Sequence, residues 1–170
     1  MYALLEFNSL QISKRTQFSK IKFSNQDTYN KLSEINDGAI IAFFKGNIKD
    51  ELFYSNWEIT KVVIPDNVVS IGKCAFLDCR SLKEVVIPFG VISIGEYAFG
   101  HCQSLKNIIL PDSIEKIEKF AFSGCNQLET IAWRGKTYYK YDEDNFFTLF
   151  NELKYLNIVP SDIGADRMFY

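Results

Sequence analysis

The chain is 170 residues long, 47% hydrophobic and 15% aromatic, with 19 basic against 21 acidic side chains. That length fits one domain, and that composition supplies a packed core, which excludes a disordered chain. A formal charge of -2 excludes a protein built on phosphate contacts, so nucleic acid is not an expected partner, and no run reaches the roughly 18 apolar residues of a membrane span.

The first residues, MYALLEFNSLQISKR, place Glu6, Asn8 and Ser9 where a secretory leader needs an unbroken apolar run. The expected location is therefore the cytoplasm; the alternative is the cell surface, should an export signal belong to the protein. Ile21 and Phe23 alternate with Lys20, Lys22 and Ser24, which predicts a strand, and Asp27 to Ile35 suits a short helix. Residues 1–35 are expected to cover the end of the domain, or to carry a specific contact of their own.

From there the chain keeps time. Pro65, Pro88 and Pro111 are 23 residues apart, and so are Cys79, Cys102 and Cys125 and the pairs Ala75-Phe76, Ala98-Phe99 and Ala121-Phe122. A fixed period of this size is the signature of stacked repeats. The units are ITKVVIPDNVVSIGKCAFLDCRS (59–81), LKEVVIPFGVISIGEYAFGHCQS (82–104) and LKNIILPDSIEKIEKFAFSGCNQ (105–127). A degenerate unit over about 36–58 precedes them, with Ala42 at the proline position, Asn56 at the cysteine position and Ile48, Phe53 and Ile59 in register. A partial unit starts at Leu128, with Ile131 and Trp133 aligned on Ile108 and Leu110. Within a unit the alternation predicts a short strand with Val85 and Ile87 on one face and Val86 on the other, ended by a proline that cannot donate to a ladder. Ala-Phe-x-x-Cys suits a short helical or 3₁₀ turn.

The motif LxxVxIPxxVxxIGxxAFxxCxSL resembles the BspA-type leucine-rich repeat over about residues 36–134. That resemblance implies an α/β leucine-rich-repeat solenoid, right-handed, with parallel strands on its concave face, and protein or ligand binding on that face. The expected organisation is an N-terminal cap over 1–35, 23-residue repeats over 36–137 and a C-terminal capping helix and tail over 138–170.

In that closing part, Phe146, Leu149, Phe150, Leu153 and Leu156 recur at helical spacing, with Asp142 as candidate N-cap and Glu143 and Asp144 favourable in the first turn. The acidic cluster lacks the glycine and distal glutamate of a calcium loop. Met168-Phe169-Tyr170 either packs back on the domain or is a contact site.

No catalytic constellation stands out. The sequence has no Gly-x-Ser-x-Gly and no HExxH, and its single histidine, His101, falls where Asp78 and Gly124 recur, on a solvent-facing turn. Gly135-Lys136-Thr137 imitates the end of a phosphate loop, but Thr130 stands where its first glycine must be. Cys79, Cys102 and Cys125 are predicted to stack. The alternatives are a thiolate metal site and a buried thiol ladder bonded to loop backbone; Asn56 in the same column favours the second, since it cannot be a thiolate. No metal and no cofactor is expected, and the cysteine usage reads as reduced.

Two columns face outward from the strands. One reads Ile40, Val63, Val86, Ile109 and Ala132, an apolar stripe of the kind that marks a partner surface or simply suits strands. The other reads Lys61, Glu84, Asn107 and Thr130 and supplies a polar rim. Trp133 aligns with inward residues and is expected in the core; Trp57 aligns with Arg80 and Gln103 and is expected outside. The candidate partner-binding residues are Val63, Val86, Ile109, Lys61, Glu84, Asn107 and Trp57. The expected function is a non-catalytic protein–protein interaction module, an intracellular adaptor or inhibitor of bacterial or phage origin, with a fragment of a bacterial surface adhesin as the alternative.

Overall fold

Each repeat has one short extended stretch rich in β-branched residues; 23 residues on, the stretch at 61–63 pairs with that at 84–86 and the stretch at 107–110 with that at 130–133. The computed structural model describes residues 3–7, 39–44, 47–64, 66–140, 142–156, 158, 164 and 166–169. The expected strand at Ile21 and Phe23, the helix over Asp27 to Ile35, and Pro65 lie outside the described residues, as does the side chain of Phe146.

The strands are β1 (Ala3–Phe7), β2 (Ala39–Phe44), β3 (Lys61–Val63), β4 (Ser70–Ile71), β5 (Glu84–Val86), β6 (Ser93–Ile94), β7 (Asn107–Leu110), β8 (Lys116–Ile117), β9 (Thr130–Trp133) and β10 (Lys136–Tyr139). One sheet runs β1-β2-β3-β5, a second β10-β9-β7, and a third, on another side of the turns, β4-β6-β8. All neighbours are parallel except β10 and β9. Val62 pairs with Val85 and Ile108 with Ile131, so side chains one period apart lie over one another. Their side chains and those of Ile64, Ile87, Leu110 and Trp133 are buried, while the residues between them face out. Pro88 and Pro111, just past β5 and β7, are buried as well.

The register slips once. β2 pairs with β3 as Ile40 to Val62 and Ile41 to Val63, a spacing of 22, whereas Ile48 bridges Ile71 at 23. One residue is therefore missing between Ile41 and Ile48. Ile41, not Ile40, continues the column of Val63, and Ala42 loses its place at the proline position. Because strand faces alternate, a slip of one residue exchanges the two faces. β1, which no periodicity announces, adds a further parallel strand beyond β2.

The Ala-Phe turns are bonded into a third strip. Glu51, Phe53 and Ser55 N–H donate to Lys73, Ala75 and Leu77 C=O; Cys74, Phe76 and Asp78 donate to Glu96, Ala98 and Gly100; Tyr97, Phe99 and His101 donate to Lys119, Ala121 and Ser123. To aim alternate amides at the next turn, the backbone enters the left-handed region twice per unit. Glu51, Cys74, Tyr97 and Phe120 have φ of 53° to 61°, and Ser55, Asp78 and His101 of 54° to 62°. Each such non-glycine residue costs about 1–2 kcal/mol, offset by the hydrogen bonds it aligns. The turns touch backbone to backbone at Gly95, where an added Cβ would lie 2.6 Å from Lys73 N.

Inside this strip the phenylalanines form one column. Phe53, Phe76, Phe99 and Phe122 stack with centroids 5.1, 5.2 and 5.7 Å apart and nearly parallel planes. Phe169 continues it, 5.9 Å from Phe122 and tilted by 4°.

The fifth turn is assembled from separated pieces. After β9, Arg134 and Gly135 take φ of 50° and 72°, the two left-handed residues of a type I′ hairpin, and return the chain as β10. Gly135 is thus a hairpin residue. Helix α1 (Glu143–Tyr155) follows and buries Leu149, Phe150 and Leu153; Leu156, expected on that face, lies past the helix end and is exposed. Tyr138 Oη donates to Glu152 Oε2 at 2.8 Å, and Lys136 Nζ lies 3.0 Å from Glu152 Oε1, fastening α1 to β10. Beyond it, Ile158 C=O accepts from Ile117 N–H, and helix α2 (Asp166–Phe169) supplies Arg167 and Met168 C=O to Phe120 and Phe122 N–H. Met168-Phe169 thereby takes the place of Ala-Phe. Of the expected Met168-Phe169-Tyr170 contact, Met168 and Phe169 pack back on the domain; Tyr170 lies outside the described residues.

Two outcomes follow. Phe99→Ala, in mid-column, lowers the unfolding free energy by about 3–5 kcal/mol in urea titrations. The Lys136 ammonium first, then the Tyr138 hydroxyl, hold the Glu152 carboxyl below the ordinary glutamate value. Its contribution is present above the unfolded pKa near 4.3 and fades as pH falls through the lower folded value. Burial, with Glu152 beside it, pushes the Tyr138 phenol up to about 12; its contribution is full below the unfolded value near 10 and is lost as pH rises through about 12. Circular dichroism melts of Glu152→Gln and Tyr138→Phe should flatten the acid and alkaline limbs respectively; unchanged limbs would show that the contact carries no stability.

Candidate partner-binding face

The strand positions that cannot point into the core define the face. On β3 and β5, Val63 pairs with Val86 and Lys61 with Glu84; on β7 and β9, Ile109 pairs with Ala132 and Asn107 with Thr130. Val63 and Ala132 are half-buried, whereas Val86 is 43% and Ile109 66% exposed, so the apolar stripe is most open at its middle two turns. The polar column pairs within itself. Lys61 Nζ lies 2.6 Å from Glu84 Oε1, and Thr130 Oγ1 donates to Asn107 Oδ1 at 2.6 Å.

Trp57 is not on these strands. It lies four residues before β3, is 59% exposed and is held from the side. Its Nε1 donates to Asp78 Oδ2 at 3.4 Å and the Arg80 guanidinium lies 5.4 Å from its ring centroid. Arg80, 2.7 Å from Asp78 Oδ1, holds that carboxyl below its ordinary value, and Trp57 and Ser55 add donors. An exposed indole fixed by a carboxylate and a guanidinium is a preorganised contact.

Phe89 is 73% exposed, more than Trp57, Val86 or Ile109, and follows Pro88 just past β5. The signal was available, since Asp66 and Asp112 occupy its position in the other units. Val69 and Ile92, one period apart on the approach to β4 and β6, form a second exposed apolar pair. Trp133 is buried, as its alignment predicts, with the Arg134 guanidinium 4.5 Å from its ring centroid. His101 is exposed on its turn.

The cysteine column is a hydrogen-bonded ladder. Cys79, Cys102 and Cys125 Sγ donate to the carbonyls of Phe53, Phe76 and Phe99, one turn back, at 3.1, 3.3 and 3.1 Å. Asn56 at the same position acts as an acceptor for its own loop, its Oδ1 taking Glu58 and Ile59 N–H at 3.1 and 3.3 Å. Burial pushes the Cys79 and Cys125 thiols up to about 12 and Cys102 well above its ordinary value. A thiol donating to carbonyl oxygen is neither a nucleophile nor a metal ligand. Among the described residues, no cluster of three His, Cys, Asp or Glu side chains could hold a metal ion.

Short parallel strands recurring at 23 residues from β3 to β9, with bonded Ala-Phe turns and a thiol column between them, define a leucine-rich-repeat fold. The chain belongs to the BspA-type leucine-rich repeat family: the model of the "BspA type Leucine rich repeat region", with 6 copies, matches residues 46–166. Among solved structures, a leucine-rich repeat protein from Bacteroides capillosus is 40% identical over 53% of this chain and 64% of its own, with a TM-score of 0.48. The pneumococcal vaccine antigen PcpA is 25% identical over 58% of this chain and 24% of its own, with a TM-score of 0.53. A leucine-rich cell surface protein from Faecalibacterium prausnitzii is 24% identical over 78% of this chain and 37% of its own, also at 0.53. This chain thus spans less than two thirds of the length of each. No curated protein matches the sequence significantly.

The thiols give a direct check. At pH 8 an aromatic disulfide reagent should leave Cys79, Cys102 and Cys125 unlabelled for hours in the native protein and label all four cysteines at once in denaturant. Rapid native labelling of Cys102 would disprove the ladder.

Proposed function

We propose that the chain is a non-catalytic protein-binding module whose partner docks on the outward face of β3, β5, β7 and β9. The observation that carries this reading is the pair Val86 and Ile109, two apolar side chains left 43% and 66% exposed on successive turns. Around them lie Val63, the Lys61–Glu84 ion pair and the Asn107–Thr130 hydrogen bond, an apolar centre with a polar rim. Trp57 supplies an aromatic anchor to one side.

In this reading the stacked turns form a right-handed solenoid with the face on its concave side, residues 1–35 covering one end and α1 with the segment after it covering the other. The four free cysteines fit a reducing compartment and support a cytoplasmic setting. No described helix is long and apolar enough to cross a membrane. As an adaptor or inhibitor, the module would act by occupying its partner's surface; as a segment of a surface adhesin, it would use the same face on a partner outside the cell.

Val86→Asp with Ile109→Asp tests the reading. Each substitution removes a central apolar contact worth up to about 2 kcal/mol, so capture of the native partner should fall at least tenfold while the melting temperature moves by only a few degrees. Undiminished capture by the folded double variant would move the site off this face. Localisation of the full-length native protein separates the cytoplasmic from the surface setting.

A further inference from the structure

The end of the stack at Phe122 is closed by α2, which meets it through the same kinds of contact that one Ala-Phe turn makes with the next. Phe169 lies 47 positions after Phe122, one period plus 24 residues. The intervening β10 and α1 leave the stack before the chain returns. To this edge α2 brings two backbone carbonyls, of Arg167 and Met168, to Phe120 and Phe122 N–H at 2.8 and 3.1 Å, a ring stacked on Phe122, and the buried thioether of Met168. Every other Ala-Phe turn is held between a turn before it and a turn after it. This one is held from one side by a four-residue helix.

We infer that the edge formed by Phe120 and Phe122 is a peptide-binding site, occupied here by the chain's own residues 166–169 and open to exchange with the same segment of a second copy. The site recognises an apolar residue followed by phenylalanine, the pair that Ala75-Phe76, Ala98-Phe99, Ala121-Phe122 and Met168-Phe169 all present. The first residue fills the space above Ala121 and the second continues the ring column. The backbone carbonyls of the incoming strand satisfy two amides, as in strand addition to a sheet edge. A segment supplied by another copy makes identical contacts, and only the effective concentration of the tethered one favours the closed monomer.

The test uses a chain ending at residue 160 and a fluorescein-labelled peptide of residues 161–170. The truncated chain should melt several degrees lower than the full chain, bind the peptide saturably and recover its melting temperature as the peptide is added. A peptide carrying Met168→Ala and Phe169→Ala should bind at least tenfold more weakly. A folded truncated chain that binds neither peptide overturns the inference. Hydrogen exchange in the full chain serves if truncation prevents folding. The Phe120 and Phe122 amides should then exchange at least tenfold faster than those of Phe76 and Phe99, and excess unlabelled peptide should slow them. Equal protection of all four amides overturns it as well.

Discussion

The main buried columns of the stack set each side chain on its counterpart one turn away. That constraint governs the rest. A period held at 23 puts phenylalanine on phenylalanine, thiol on the neighbouring turn's carbonyl and β-branched residue on β-branched residue, so a single unit has no core and a pair of units has half of one. Left-handed residues recur for the same reason. An amide turned toward the next unit is useful only if every unit turns it, so the strain at Cys74 is repeated at Tyr97 and Phe120. Such strain persists where the surroundings over-determine it.

The columns were legible because they are periodic. Cys79, Cys102 and Cys125, and the choice of Trp133 as core and Trp57 as surface, followed from alignment alone. What escaped were the places where the count breaks. At β2 one residue is missing before Ile48, and because Ile40 and Ile41 are both apolar the sequence fits either register equally well; only the pairing distinguishes them. Met168-Phe169 escaped for the opposite reason. The motif is intact, but 24 extra residues put it out of phase, and a four-residue helix has too short a period to announce itself. Phe89 is legible as a departure, a phenylalanine where two other units carry aspartate, but it lies past the strand and so outside the outward columns.

The candidate face joins the two kinds of position. Its backbone is dictated by the repeat, which leaves its outward side chains free of packing duty. Glu84 and Asn107 occupy one column yet find different partners, Lys61 and Thr130, so neighbouring turns present different chemistry on the same frame. Substitution at Val86, Phe89 or Ile109 changes what this face presents without disturbing Val85, Ile87 or Ile108 beneath.

The bonds between Ala-Phe turns all run in one sense, from the N–H of each turn to the C=O of the next, through to Arg167 and Met168. Peptide dipoles on this side consequently add rather than cancel, as they do along a helix. The N–H groups of this strip point toward its α2 end, where Arg167 and Met168 C=O receive the last of them, and the C=O groups point toward its opposite limit. A further turn added to this strip continues the bonding only if it keeps the same sense, offering C=O to the N–H groups before it. That vector resides in the main chain and survives any exchange of side chains.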